Sequence, residues 1–348
     1  MEVTLKLLTI VVPSYNVEKT LGATLDSLCV AEVLPKLDII VVDDGSKDGT
    51  AQLADGFAKK YPESVRVISK ANGGHGSTIN TGIDAAQGRY FKVVDGDDRL
   101  CCDGLIALVG RIETSDADLV VSNYKKVLPD GADAGDMVFS GVEYNKKYLF
   151  EQLPTDGSVY FGIHSSTFKT EILKSNIIRL QEHTFYVDTE YALLPVPFVR
   201  TVEFLSDFVY LYTVGSAQQS IDTQNFVRRY DDHLRVVTRL VKFAGQCAAD
   251  KPQKDYIYSV LGKLCFTQYM LAAFYDEDLR RGRRRAREFD AWLKADPRIY
   301  GALSKSLYIR LMRATHFRVL PRGAKLKKIV RSLFGVAKRL TGKKKLTY

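Results

Sequence analysis

Three apolar runs in the first hundred residues each stop abruptly at a polar cluster, and this arrangement restricts the fold more than any other feature. Leu8-Thr9-Ile10-Val11-Val12 runs into Pro13-Ser14-Tyr15-Asn16, Asp38-Ile39-Ile40-Val41-Val42 into Asp43-Asp44-Gly45-Ser46, and Tyr90-Phe91-Lys92-Val93-Val94 into Asp95-Gly96-Asp97-Asp98. Near-continuous Val and Ile runs suit strands covered on both faces, as in a parallel sheet. Val65–Ile68 and Asp118–Val121 read as further strands, and helical patterns fall at 17–29, 48–60, 77–87 and 103–114. Thr20, Ser77 and Asp103 suit helix caps or first turns. Strands alternating with helices predict an α/β fold with a mostly parallel sheet flanked by helices.

The pattern breaks near 130–160, which carries Gly131, Gly135, Gly141, Pro154 and Gly157. Helices are predicted again at 169–176 and 187–194, and a strand at 202–212. Beyond 224 the periodicity is helical, with Phe226, Tyr230, Leu234, Val237, Leu240 and Val241 on one stripe. The expected organisation is a domain over 1–215, a helical appendage over 216–300 and a basic tail over 301–348.

Charge sharpens that division. The chain carries 50 Lys and Arg against 41 Asp and Glu, a net +9. Residues 305–348 hold 14 Lys or Arg and no acid, which leaves 36 basic and 41 acidic residues, a net −5, for the rest. A high isoelectric point therefore does not indicate a nucleic-acid-binding body, and no nucleic-acid partner is expected. Leu326, Ile329, Val330, Leu333, Phe334, Ala337 and Leu340 are spaced as an amphipathic helix among basic residues. Such a helix suits an anionic membrane surface, and packing on the acidic body is the alternative. Five cysteines without a C-x-x-C pair, the lack of a signal-peptide pattern and the lack of a run of about 18 apolar residues predict a cytoplasmic chain, either free or peripheral on the inner face of the membrane.

In open α/β sheets ligands bind beyond the carboxyl ends of the strands. Acids gathered there repel one another unless a cation or hydrogen-bond donors compensate. Oxygen ligands at this spacing suit Mg²⁺ or Mn²⁺ better than zinc. Asp43-Asp44-Gly45-Ser46 also reads as a simple turn with a cap. Between the acidic clusters, Asn72-Gly73-Gly74-His75-Gly76-Ser77 precedes a helix start and is expected to bring free backbone N–H groups close to a ligand. It lacks the Gly-Lys-Ser/Thr ending of a P-loop.

Taken in order, Val-Val-Pro-Ser-Tyr-Asn, Ile-Val-Val-Asp-Asp-Gly-Ser-Lys-Asp-Gly-Thr, the glycine loop before Asn80-Thr81-Gly82, and Val-Val-Asp-Gly-Asp-Asp resemble the family 2 glycosyltransferases of GT-A fold over residues 6–215. The resemblance implies a nucleotide-sugar donor, commonly a UDP-sugar, and a polysaccharide or lipid-linked acceptor, as in cell-wall polymer assembly. It places Pro13, Tyr15, Asn16, Asp43, Asp44, Asn72, Gly73 and Asp95 around the nucleotide, and Asp97, with Asp98 as its rival, on Mg²⁺ or Mn²⁺. Ile79 departs from the family, where Arg is frequent before the Asn; Lys70 or Lys92 is a replacement charge. In His183-Thr184-Phe185-Tyr186-Val187-Asp188-Thr189-Glu190-Tyr191 it makes Asp188 the catalytic base, with Val187 in place of the usual Glu and with Glu190 as second choice. Two residues apart on a helix, Asp188 and Glu190 cannot face the same site. As an ordinary carboxylate (pKa about 3.9), Asp188 needs no shift to be ionised at neutral pH. His164 and His183 read first as hydrogen-bonded structural residues, with acceptor contact as the alternative because both flank the acceptor side, and Gln218 and Gln219 fall where relatives close a loop over the donor.

These readings predict a metal-dependent, inverting sugar transfer. Two competing readings are a sugar-nucleotide pyrophosphorylase, whose glycine- and arginine-rich loop after the first strand is missing here, and a non-enzymatic binding protein with a basic tail.

Overall fold

The computed structural model describes residues 5–215 and 223–318, which form two compact units, one within Met1–Leu153 and Phe161–Ala217, the other within Pro154–Tyr160 and Gln218–Tyr348. Gln218, Gln219 and the amphipathic pattern of the tail lie outside the described residues.

In the first unit, β1 (Leu8–Ser14), β2 (Leu37–Asp43), β3 (Val65–Ser69) and β4 (Tyr90–Val93) run parallel in the order β3-β2-β1-β4. Every residue of β1, β2 and β4 is buried. Each fully buried Val, Leu or Ile contributes about 1.5–3 kcal/mol relative to exposure, so these three strands anchor the core. Registry brings their ends to one edge: Ser14 pairs with Asp43, Asp43 with Ser69, and the Val94 and Gly96 amides donate to the Val11 and Pro13 carbonyls.

Beyond β4 the sheet is mixed. β5 (Arg99–Leu100), β6 (Leu119–Val127), β7 (Asp133–Met137), β8 (Lys147–Leu149), β9 (Ser166–Lys169) and β10 (Thr201–Thr213) complete ten strands. β9 lies antiparallel between β4 and β6, whereas β6 and β10 are parallel. Register shifts in β10 between Leu205 and Tyr210 alter its side-chain phase before it reaches the site.

The helices α1 (Glu18–Leu28), α2 (Thr50–Lys60), α3 (His75–Ala85), α4 (Cys102–Thr114), α5 (Thr170–Ser175) and α6 (Asp188–Leu193) join the strands. α3 packs on β1 and β2, so closely that a Cβ on Gly82 would meet Val11 at 2.3 Å. Ser77 lies inside α3, and Gly74 (φ 82°) holds the cap position. At this φ a side chain is strained, and glycine is the residue that suits it.

The second unit contains α7 (Thr223–Arg228), α8 (Tyr230–Gln246), α9 (Lys251–Met270), α10 (Leu279–Leu293), α11 (Pro297–Leu303) and α12 (Leu307–Ala314). Helix continues past residue 300 because Ile299, Leu303, Ile309 and Met312 are buried, leaving much of the basic charge at the surface. The Gly157 carbonyl accepts from Lys263 Nζ (2.6 Å), which ties the 154–160 loop to α9. Lys251–Tyr275 is long and apolar enough to cross a membrane, yet Tyr256, Ile257, Leu261, Cys265 and Tyr269 are buried within the helical unit. Buried acids here are paired: Asp276 with Arg281 and Arg285, Asp290 with Arg313 and the Tyr269 hydroxyl.

Candidate active site

The end of β2 is built around Asp44. Its carboxylate, almost fully buried, accepts from the Gly73 amide (2.9 Å), the Gly74 amide (2.8 Å) and Lys70 Nζ (3.0 Å). The Asn72 side-chain amide donates to the Asp44 carbonyl. This differs from the expectation of free N–H groups: two of the loop's amides are already bound, because a buried carboxylate must collect donors. It also places Lys70, which neutralises Asp44. Asp43 Oδ1 accepts from the Ser46 amide, as in the turn reading of this cluster. Pro13 is buried in β1, while Tyr15 is half-exposed and Asn16 is exposed, with φ 54°. Asn16 joins the ends of β1 and β2 through its amide to Ser46 Oγ and its Oδ1 to the Lys47 amide.

The second cluster follows β4. Asp98 Oδ2 accepts from the Tyr210 hydroxyl and Oδ1 from the Thr213 amide, each at 2.7 Å, and the Asp95 amide donates to the Tyr210 hydroxyl. Asp95 Oδ1 lies 2.8 Å from His75 Nε2. Burial, then the Asp95 and Asp97 charges, push the Asp98 carboxyl well above the ordinary range. Asp97 is exposed at the mouth of the crevice but ringed by protein; desolvation and Asp95 raise it to about 6. Asp95 is held low despite the burial that opposes ionisation, chiefly by His75 and next by His164. His75 is raised although burial works against its charged form; Asp95 contributes most, with Asp188 and Asp97 beyond it. The His164 ring packs against Tyr124, Tyr210 and Tyr212, and desolvation drives its pKa down to about 4, so it is neutral at pH 7.

Asp188 opens α6 and lies close enough to His75 and Asp95 for each to act on its ionisation. It touches solvent while walled by protein, and desolvation raises its pKa. An ordinary carboxylate, as read from sequence, is therefore corrected to a more basic one. Glu190 turns the other way: fully buried, it accepts from the Gln181 amide (2.8 Å) and the Gln181 side-chain amide (2.5 Å). The segment before α6 is fixed further by Asn80, whose side chain bonds both the amide and the carbonyl of Leu180, and by the His183 amide on the Gly73 carbonyl. A Cβ on Gly76 would meet the Gln181 carbonyl at 2.2 Å, so the approach requires glycine. His183 (φ 48°) and Tyr186 (φ 68°) adopt left-handed backbone, a strain that surrounding contacts must enforce.

The model for "Glycosyl transferase family 2" matches residues 9–173. The glycosyltransferase EpsJ of Bacillus subtilis is 30% identical over 236 residues, covering 66% of this chain and 67% of EpsJ. The chain belongs to glycosyltransferase family 2. A poly(ribitol-phosphate) beta-glucosyltransferase of Bacillus spizizenii is 30% identical over 181 residues, 51% of this chain and 27% of that protein. Residues 1–349 of S. aureus TarS, crystallised with UDP-GlcNAc, superpose with a TM-score of 0.68 at 19% identity, covering 94% of this chain and 92% of that one. The fold of this family 2 glycosyltransferase is thus GT-A.

Within this glycosyltransferase, Asp44, Asn72 and Gly73 form one connected group that passes through Gly74 and His75 to Asp95, Asp97, Asp98 and Asp188. Ligand atoms of Asp95, Asp98 and His164 lie within 4.8 Å of one another. Two close carboxylates, with Asp98 raised by burial and then by its acidic neighbours, form with one neutral imidazole a donor set that fits a hard divalent ion. Asp97 is not part of that trio. Lys92 does not supply a surface charge: buried in β4, its Nζ donates to the His164 carbonyl (2.9 Å) and desolvation lowers its pKa to about 7. Ile79 is fully buried on α3, one turn after His75, and His75 is the cation-capable group that faces the acids. Sequence reasoning passed over His75, Tyr210 and Thr213. The i, i+4 spacing of His75 and Ile79 was a usable signal for the first; nothing local marks the other two.

Proposed function

We propose that this glycosyltransferase moves a sugar from a nucleoside diphosphate sugar, a UDP-sugar in the first instance, to a hydroxyl of a cell-surface polymer or lipid-linked acceptor, with inversion. The reading rests on one observation above all: Asp188 shares the crevice of His75, Asp95 and Asp97 while Glu190 is sequestered by Gln181. Asp188 takes the proton from the acceptor hydroxyl as that oxygen bonds to the anomeric carbon. The bond between that carbon and the diphosphate breaks, and its electron pair leaves with the diphosphate. Desolvation makes the carboxylate a better base without neutralising the mechanism, because proton transfer improves as the pKa of the base rises toward the working pH. Asp44 and Asn16 shape the nucleotide end. Asp44 Oδ2 accepts only one of the bonds described above and retains a lone pair for a base N–H. His75 orients Asp95 through its Nε2.

Asp95, Asp98 and His164, with Asp97 nearby, would hold Mg²⁺ or Mn²⁺, which would supply Lewis-acid stabilisation of the diphosphate. The similarity to a poly(ribitol-phosphate) beta-glucosyltransferase supports a polymer acceptor, and the basic tail supports a peripheral position on the cytoplasmic face of the membrane. The decisive experiment is Asp188→Asn with donor binding and transfer measured separately over a panel of nucleotide sugars. Binding should persist and transfer should fall by about three orders of magnitude or more, the upper range of general-base contributions. Near-normal turnover in that variant, or a product with retained anomeric configuration, defeats the mechanism.

A further inference from the structure

α10 carries six arginines, and the structure sorts them into two groups. Arg281 and Arg285 are held by the buried carboxylate of Asp276. Arg280, Arg283, Arg284 and Arg287 follow one another at i, i+3, i+4 and i+7, so they share one face of the helix. With Glu288 they line an open recess of about 430 Å³. The acid in that lining reaches Arg284 only at 3.9 Å. Arg283 Nε is buried yet lacks a hydrogen-bond acceptor, a costly state for a guanidinium that an anion would relieve.

The face works against its own helix. Like charges at these spacings destabilise a helix by about 0.2–0.5 kcal/mol per pair, and Arg280 in the first turn opposes the helix dipole. Folding does not require such a stripe, since the buried side of α10 is formed by Gly282, Ala286, Phe289, Asp290 and Leu293. Arg287 Nε donates to the His316 carbonyl (3.0 Å), so the described chain ends beside the stripe. The 30 residues that follow contain ten Lys or Arg and no acid.

Exposed apolar side chains occur in the same helical unit. Leu279, next to Arg280, is 44% exposed, and α12 exposes Leu307 (64%) and Leu311 (43%) on either side of Arg310. Guanidinium forks match phosphodiester oxygens in pairs, and leucines beside basic residues suit the boundary between headgroups and acyl chains. We infer that the Arg280–Arg287 face of the helical unit is a docking surface for a bilayer rich in anionic phospholipid, in addition to any contribution from the tail.

The test is co-sedimentation of the full chain with phosphatidylcholine vesicles and with vesicles containing about a third phosphatidylglycerol. The comparison variant is Arg280→Gln/Arg283→Gln/Arg284→Gln/Arg287→Gln, which keeps the tail intact. Wild type should bind the anionic vesicles and bind them less in high salt. Each guanidinium withdrawn should weaken binding roughly five-fold, so the quadruple variant should show a loss on the order of several hundred-fold. Its thermal melt should match or exceed wild type, because repulsion is removed, and its hydrolysis of soluble donor should be unchanged. Equal binding of variant and wild type to anionic vesicles overturns the proposal. So does equal binding of wild type to neutral vesicles, or binding of wild type to a soluble polyphosphate with no vesicle binding.

Discussion

Replacing Glu190 and Asp188 in turn should give opposite results, although the two carboxylates are two residues apart. Glu190→Gln keeps shape but turns one accepting oxygen into a donating NH₂ that faces the Gln181 amide or side chain. Two hydrogen bonds to a charged acceptor are weakened, each worth about 1.5–3 kcal/mol, and one buried donor is left unpaired. A loss of about 3 kcal/mol is expected, which for a unit of this size lowers the melting temperature by roughly 6–12 °C. Donor turnover per folded molecule should fall only modestly, since Asp188 keeps its place at the start of α6. Asp188→Asn should do the reverse. Burial raises the Asp188 pKa, so its ionised form is a burden on the fold near neutral pH, and removing the charge should leave stability equal or higher while transfer is abolished. Calorimetry and a nucleoside diphosphate release assay on both variants read this directly. An E190Q protein that melts like wild type but is inactive would refute the reasoning, because it would make Glu190 a chemical group rather than a structural one.

Asp44→Asn should destabilise the first unit by about 2–4 kcal/mol and weaken donor binding, because the Gly73 and Gly74 amides and Lys70 lose a shared anionic acceptor; denaturant titration and donor calorimetry check both effects, and an unchanged denaturation midpoint would contradict the geometry. In the helical unit, desolvation lowers the His233 pKa to about 4, and its ring bonds Gln268. The unfolded state therefore binds a proton near pH 6.5 that the folded state refuses. Stability is full above about 6.5 and declines as pH falls toward 4, by up to about 3 kcal/mol. In denaturation at pH 8 and pH 4.5, His233→Gln should show a smaller acid-induced loss than wild type, and an identical loss would remove His233 as the cause.

Much of this architecture was readable because burial on both faces leaves a distinctive trace. β1, β2 and β4 are unbroken apolar runs that end at polar clusters, and parallel registry then puts those clusters on one edge. The family resemblance favoured Asp188, and helix spacing showed that Asp188 and Glu190 could not face one site. What escaped reading depends on distant partners. β9 is four residues long, and its place between β4 and β6 follows from antiparallel pairing that no periodicity announces. The glycine loop looked open because glycines were visible and their acceptor, Asp44, lies nearly thirty residues earlier. The bonds from Tyr210 and Thr213 to Asp98 escaped reading because those residues lie more than a hundred positions later. Residues 154–160 looked like a mere break, and the bond from Lys263 to the Gly157 carbonyl that ties them to α9 has no local sequence signal.

The segment that delivers Asp188 is fastened from below. Asn80 grips Leu180, Glu190 grips Gln181, and Gly73 receives the His183 amide. Residues 184–186, whose side chains include the half-exposed Phe185, lie between these fixed points. If Asp188 is the base as proposed, a change of acceptor is expected to begin in that span while α3 and α6 keep the carboxylate in place. Directed evolution of new acceptor preference should therefore start at Phe185 and leave Asn80 and Glu190 alone.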